Sequence, residues 1–162
     1  MKRRLFMAAA LLGCTSIQAQ AATTSSTLGV SLTLAAACSV STSAIAFGTV
    51  GLLSANVDQT GTVTVTCTKN ATYTIALDAG ASAGATTSAR KMKNGAATEF
   101  VAYSLYRDAA RTQNWGNIVG TDTLAGSGTG SASVLTIYGR IPVQSSPSAG
   151  AYTDVVNVTV AY

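Results

Sequence analysis

The chain has 162 residues, a length that fits one domain, and only 10% of them are charged. Ten basic and six acidic residues give a formal charge of +4, but three of the basic residues lie together at positions 2–4, so the rest of the chain carries a net +1. This balance leaves no basic field for nucleic acid or an anionic membrane, and the abundance of Gly, Thr, Ser and Val favours an all-β exported domain.

Residues 1–21 have the pattern of a secretory signal peptide. Positions 2–4 are basic, the apolar run at 5–12 is too short to span a bilayer, and Ala19-Gln20-Ala21 is a cleavage site of the A-x-A type. Cleavage there gives a mature chain that begins at Ala22. An alternative lies within the same segment, because Leu11-Leu12-Gly13-Cys14 is similar to a bacterial lipobox and would make Cys14 a lipidated first residue.

The next segment, residues 22–36, contains one strand pattern. A polar leader at 22–26 precedes four apolar residues that alternate with small or polar ones: Leu28, Val30, Leu32 and Leu34. This period of two predicts a strand with one apolar face. A terminal strand on a short hinge can pair within its own domain or reach into a neighbouring molecule, and the residues alone leave both possibilities open.

Two cysteines, Cys38 and Cys67, remain after the predicted cleavage. An even number of cysteines in an exported chain predicts one disulfide. The alternative is a metal-binding or catalytic thiol pair, which has little support because the chain has no histidine and no C-x-x-C motif.

The remaining chain predicts about seven strands, two of them short, and no helix. The longer strand patterns cover residues 39–50, 61–68, 71–78, 99–106, 131–143 and 151–162. The turn at Lys69-Asn70 predicts a hairpin of 61–68 with 71–78, and Asn94-Gly95 predicts a tight turn between two short edge strands. The spacing is typical of an antiparallel sandwich.

Two polar segments allow both a structural and a functional interpretation. Arg90, Lys91 and Lys93 are interpreted as a solvated strand edge that discourages sheet-to-sheet pairing, the alternative being a binding patch. Residues 107–116 are interpreted as a loop whose Trp115 covers one end of the core, the alternative being a ligand site with stacking aromatics.

The residue types needed for catalysis are scarce. There is no histidine to act as a base, one glutamate, and aspartates that are scattered along the chain. Tight metal sites need clustered His, Cys or carboxylate ligands. We therefore expect no enzyme, no cofactor and no metal, which leaves a binding module or a structural polymer.

Residues 101–112, with the sequence VAYSLYRDAART, resemble the spore coat protein U domain family, which includes archaic chaperone–usher pilins such as the Csu subunits. Further matching pieces run in family order over nearly the whole mature chain. They are Ala37-Cys38-Ser39-Val40, Phe47-Gly48, Val65-Thr66-Cys67, Trp115-Gly116, Tyr138-Gly139-Arg140-Ile141-Pro142 and Gly150-Ala151-Tyr152-Thr153-Asp154.

This resemblance implies an incomplete immunoglobulin-like antiparallel β-sandwich at residues 37–162, with residues 22–36 as an N-terminal donor-strand extension and hinge. Leu28, Val30, Leu32 and Leu34 match the donor strand of the family.

The implied partners are identical or related pilin subunits, a periplasmic chaperone that holds the C-terminal Tyr162, and an outer-membrane usher. The implied location is an extracellular pilus that serves adhesion and biofilm formation, with the membrane met only in transit. The alternative is a self-complete secreted binding or coat protein, in which residues 27–34 complete their own sandwich.

Overall fold

The computed structural model describes residues 19–95 and 98–162, so most of the predicted signal peptide, including Cys14, lies outside the described residues. Within the described ranges the chain forms strands only, and no helix long and apolar enough to cross a membrane occurs there. The strands are β1 (Cys38–Thr42), β2 (Val57–Cys67), β3 (Thr72–Leu77), β4 (Arg90–Asn94), β5 (Phe100–Tyr106), β6 (Leu124–Ser127), β7 (Ala132–Ile141), β8 (Tyr152–Thr153) and β9 (Val158–Ala161). The all-β prediction is confirmed.

The strands form two antiparallel sheets. One has six strands in the order β1-β2-β7-β5-β4-β8, and the other has three in the order β6-β3-β9. Alternate residues of each strand point to the space between the sheets, where they form one apolar core. Its fully buried aliphatic side chains come from β2 and β3: Val63, Val65, Ile75 and Leu77.

The predicted hairpin of residues 61–68 with 71–78 is wrong. β2 pairs with β1 and β7, whereas β3 pairs with β6 and β9. The turn at Asn70, with φ of 65°, carries the chain from one sheet to the other. Each strand has one apolar face, and these faces pack against each other across the core. Alternation does not distinguish strands that lie side by side from strands that lie face to face.

The predicted final strand at 151–162 is in fact two strands. β8 pairs with β4 in the six-stranded sheet, and β9 pairs with β3 in the other. Residues 154–157 form the crossover between them. The predicted alternation persists through the break, because Val156, Val158 and Val160 are half-buried, while Tyr162 is exposed.

The strand predicted at 39–50 is too long. β1 ends at Thr42, and Ile45 and Phe47 then lie across the inner face of the six-stranded sheet. Glycines make room for them: a Cβ atom on Gly61 would lie 2.6 Å from Ile45 Cγ1, and one on Gly139 would lie 3.0 Å from Phe47 Cζ. The alternation at 45–47 therefore reflects packing onto a glycine-lined surface rather than a sheet ladder.

Candidate functional site: an open apolar groove

Four strands have a free edge in the part of the chain that the structure describes: β6 and β8, and also β1 and β9. Among the described residues, β1 pairs only with β2, and β9 pairs only with β3. A free edge presents a row of unpaired N–H and C=O groups, to which another extended chain can add. The free edges of β1 and β9 belong to different sheets, so an added strand could lie between them.

The inner side of β1 is uncovered. Val40 and Val65 are direct cross-strand partners, so their side chains lie on the same face of the sheet. Val65 is 1% exposed, whereas Val40 is 43% exposed. The difference means that the three-stranded sheet covers β2 but not β1.

Two adjoining cavities open on the domain, and the first is lined by residues of both edge strands, Thr42 of β1 and Val158 of β9. One, of about 310 Å³, is lined by Ile45, Phe47, Leu77, Val156 and Val158 among others. A larger one, of about 960 Å³, lies between residues 45–53 and 146–152 and shares Ile45, Phe47, Met92 and Tyr152 with the first. We call the two together the groove.

One polar pair in the groove wall, Tyr103 and Asp154, is hydrogen-bonded within the domain. Tyr103 donates a hydrogen bond of 2.7 Å from its hydroxyl to Asp154 Oδ2. Burial, with the hydrogen bond to Asp154, raises the pKa of Tyr103, so its hydroxyl keeps its proton and remains a donor. An occupant of the groove meets the apolar side chains of Ile45, Phe47 and Val158, the last of which belongs to the edge strand β9.

The residues predicted as a donor strand lie in an N-terminal unit that ends at Thr33, of which residues 19–33 are described. This described part has no strand, and Leu28, Val30 and Leu32 are 88%, 88% and 83% exposed. Leu34, the first residue of the folded unit, is also exposed. Their role as a donor strand, and the contact of Tyr162 with a chaperone, remain predictions.

The predicted disulfide is confirmed. Cys38 and Cys67 are bonded, and they are direct partners at the start of β1 and the end of β2. The residue that precedes β1 is held at the same place, because the Ala37 backbone N–H donates to Thr68 Oγ1 at 3.1 Å. The bond therefore joins the free edge strand to its neighbour where the N-terminal extension enters the domain.

Arg90 is not part of a solvated edge, so this interpretation is wrong for it. Its side chain is fully buried and donates to the carbonyls of Leu77, Asp78, Thr87 and Trp115. Lys91 and Lys93, its neighbours, retain exposure. The signal for burial was present, since Arg90 shares a strand face with the apolar Met92.

Trp115 covers the core, as predicted, and is no stacking platform for a ligand. It is fully buried, and its indole Nε1 donates to the Ile75 carbonyl at 3.1 Å. Within the described ranges, no group of three or more metal-ligating side chains comes together.

These features define the class of protein: a two-sheet antiparallel β-sandwich domain with an open apolar groove and an apolar N-terminal extension. The chain belongs to the Spore Coat Protein U domain family, whose model matches residues 24–159. This confirms the family inferred from the sequence motifs.

The chain is also similar to one protein in sequence and to one solved structure in fold. It is 33% identical over 158 residues to Protein U of Myxococcus xanthus, covering 89% of this chain and 88% of that protein. Its fold is similar, with a TM-score of 0.57 and 20% identity, to a chain in the CsuC–CsuE chaperone–tip adhesion subunit pre-assembly complex from archaic chaperone-usher Csu pili of Acinetobacter baumannii. That match covers 80% of this chain and 40% of that chain, so our chain spans less than half of its length.

Proposed function

We propose that this chain is a structural subunit of a secreted chaperone–usher pilus that polymerises by donor-strand exchange and supports surface adhesion and biofilm formation. The observation that carries the proposal is the open groove, and the exposure of the nearby Val40 on an inner sheet face adds to it. The family and the fold shared with a chain of a chaperone–pilus subunit complex support it.

The N-terminal extension of a second copy has the chemistry to fill the groove. Eight extended residues, 27–34, reach about 26 Å at roughly 3.3 Å per residue. Its four apolar side chains point to one face, and burying them is worth roughly 6–12 kcal/mol as an upper bound. The backbone can add to the free edge of β9, which is the β-strand addition used in peptide recognition.

The same groove explains why a chaperone and an usher are proposed as partners. An uncovered apolar groove with a free strand edge promotes aggregation before assembly. A periplasmic chaperone that covers the groove prevents this aggregation. At an outer-membrane usher, the N-terminal extension of the next subunit then replaces the chaperone in the groove. The proposed location is an extracellular pilus reached through the periplasm.

The test compares residues 37–162 with and without a synthetic peptide of residues 22–36. We expect the peptide to raise the thermal midpoint of the truncated domain in a concentration-dependent way, because ligands that bind only the folded state stabilise it. A peptide carrying Leu32→Asp is the matched control and should have little effect. A truncated domain that folds stably unaided and ignores the wild-type peptide would contradict the proposal.

An experiment on the mature chain, residues 22–162, distinguishes the polymer proposal from the alternative of a self-complete domain. If residues 27–34 close their own groove, this chain stays monomeric at every concentration and does not bind added peptide. The polymer proposal predicts concentration-dependent oligomers that the peptide shortens, which sedimentation velocity measures directly.

A further inference from the structure

Two carboxylates hold the crossover at residues 154–157, together with one backbone hydrogen bond at its end. Asp154 accepts hydrogen bonds from the Tyr103 hydroxyl at 2.7 Å and from the Ala81 N–H at 2.9 Å. At the other end, Asp78 accepts from the backbone N–H of Asn157 at 2.9 Å and from its Nδ2 at 2.6 Å. We call the pair of Asp78 and Asn157 the crossover latch.

The latch is anchored in the core of the domain. Arg90, which is fully buried, donates to the backbone carbonyls of Asp78 at 2.8 Å and of Leu77 at 3.1 Å. The Asp78 carboxylate also accepts from the Gly80 N–H, and the Asp78 N–H donates to the Asn157 carbonyl at 3.1 Å. These hydrogen bonds therefore fix the position of the end of β3, opposite which β9 begins.

β9 is short, so its register depends on the burial of Val158 and Val160 and on few ladder hydrogen bonds. It is four residues long and pairs with β3 from Leu77↔Val158 to Thr74↔Ala161, the pair next to the latch being Leu77↔Val158. A slip of one residue would turn every side chain of the strand to the opposite face. Val158 would then leave the groove wall that it lines.

We infer that Asp78 and Asn157 are positioning residues that fix where β9 begins and so set the register in which the groove receives an extended apolar segment. The inference rests on the proposed function, since the segment it concerns is the N-terminal extension of a second copy. Removing the latch should leave the core folded and weaken or misalign strand addition.

The test breaks and then rebuilds the latch in the mature chain, residues 22–162. Asn157→Asp places a second carboxylate against Asp78, where Nδ2 now donates. The exchange variant Asp78→Asn/Asn157→Asp restores it, because the oxygen of the amide at position 78 still accepts the two backbone N–H groups while its NH2 donates to the carboxylate at 157. Asn70→Asp is the matched control, since it makes the same charge change on an exposed residue at φ 65°, which Asp tolerates.

Two readouts separate register from general stability. The first is binding of a fluorescent peptide of residues 22–36, for which we expect Asn157→Asp to lower affinity about tenfold and the exchange variant to recover most of it. The second is amide hydrogen exchange, which should accelerate in β9 but not in β2. If Asn157→Asp fails to fold, Asn157→Ser removes the side-chain donor without adding charge.

Each outcome decides. If Asn157→Asp binds like the wild type, or the exchange variant binds as weakly as Asn157→Asp, the latch has no positioning role. If the wild-type chain does not bind the peptide, the proposed function is contradicted instead. The amide hydrogen-exchange rates of β9 then still show whether the latch fixes that strand.

Discussion

Arg90 Nη2 donates a hydrogen bond of 2.8 Å to the carbonyl oxygen of Trp115, joining the edge region of one sheet to the loop that closes the core. The same buried guanidinium serves the carbonyls of Leu77, Asp78 and Thr87. Its planar fork of five N–H donors suits this task, because the acceptors lie in several directions.

We expect Arg90→Lys to lower the free energy of unfolding by about 2–4 kcal/mol, because an ammonium cannot reach four separate carbonyls and leaves some of them buried without a donor. Urea unfolding followed by circular dichroism measures the loss. Lys93→Ala, on the same strand but exposed, is the control and should change stability by less than about 0.5 kcal/mol. Equal effects of the two substitutions would contradict the role of Arg90.

Trp115 is the only tryptophan, so its fluorescence reports directly on the closed end of the core. We expect blue-shifted emission and weak quenching by acrylamide in the folded chain, since the side chain is fully buried. Trp115→Phe removes the donor to the Ile75 carbonyl and should cost about 1–3 kcal/mol. Emission typical of an exposed indole would be incompatible with this placement.

Gly61→Ala tests the packing of residues 43–47 onto the six-stranded sheet. The added methyl would lie 2.6 Å from Ile45 Cγ1 and 3.0 Å from the Ser43 carbonyl oxygen, so we expect a loss of about 1–3 kcal/mol from overpacking. Gly51→Ala is the control, because a Cβ there meets nothing within 4 Å. In the Ile45→Ala background, Gly61→Ala should cost less stability than it does in the wild type. An equal cost in both backgrounds would show that the strain lies elsewhere.

Acid should destabilise the fold through carboxylates whose pKa values are lowered. The hydrogen bond from Arg140 lowers the pKa of Asp58. For Asp78, burial acts in the opposite direction, but hydrogen bonds from Asn157 and Gly80 outweigh it and the pKa is lowered. A lowered folded-state pKa means that the ionised form stabilises the fold, fully above the unfolded value of about 3.9 and less as pH falls through the folded value.

We therefore expect the free energy of unfolding to be nearly constant from pH 5 to pH 7, where the chain has no histidine to titrate, and to fall below about pH 4. Urea unfolding at pH 7, 5 and 3 checks this. Asp58→Asn should remove part of the acid dependence. If the free energy of unfolding rose as pH fell from 5 to 3, the predicted stabilising effect of these ionised carboxylates would be wrong.

Leu32→Asp should block assembly, because it would place a charge in the apolar groove at a cost of several kcal/mol. Thr33→Asp is the matched control, since alternation turns its side chain to the opposite face of the extended segment. We expect monomers or chaperone complexes to accumulate for Leu32→Asp and normal fibres for Thr33→Asp, by electron microscopy and gel filtration. Normal pilus length in Leu32→Asp would contradict the donor role.

The strand faces could be predicted from the sequence because burial follows a period of two along each strand. Val63, Val65 and Cys67 are buried as their alternation indicates, and so are Tyr73, Ile75 and Leu77. The pairing of these two strands could not be predicted, since alternation is the same for strands that share a sheet and for strands that face each other.

The uncovered face could not be predicted from the alternation of residues, and the sequence indicated it only through the family resemblance, which implies an incomplete sandwich. Val40 continues an apolar pattern as Val65 does, and only the arrangement of the two sheets leaves one of them uncovered. For Arg90 the sequence pattern indicated exposure where the structure shows burial. A basic residue among lysines predicts contact with solvent, but carbonyls from three separate segments accept its hydrogen bonds and so allow its burial.

The bond between Cys38 and Cys67 has a mechanical consequence. In a fibre of the proposed kind, the pull of a neighbouring subunit enters this domain at its N-terminal hinge and reaches β1 first. β1 is a five-residue edge strand whose hydrogen bonds could be broken one after another from that end. The covalent link passes the load at its first residue into β2, which is paired along ten residues with β7, so tension is borne by the centre of the sheet rather than by its margin.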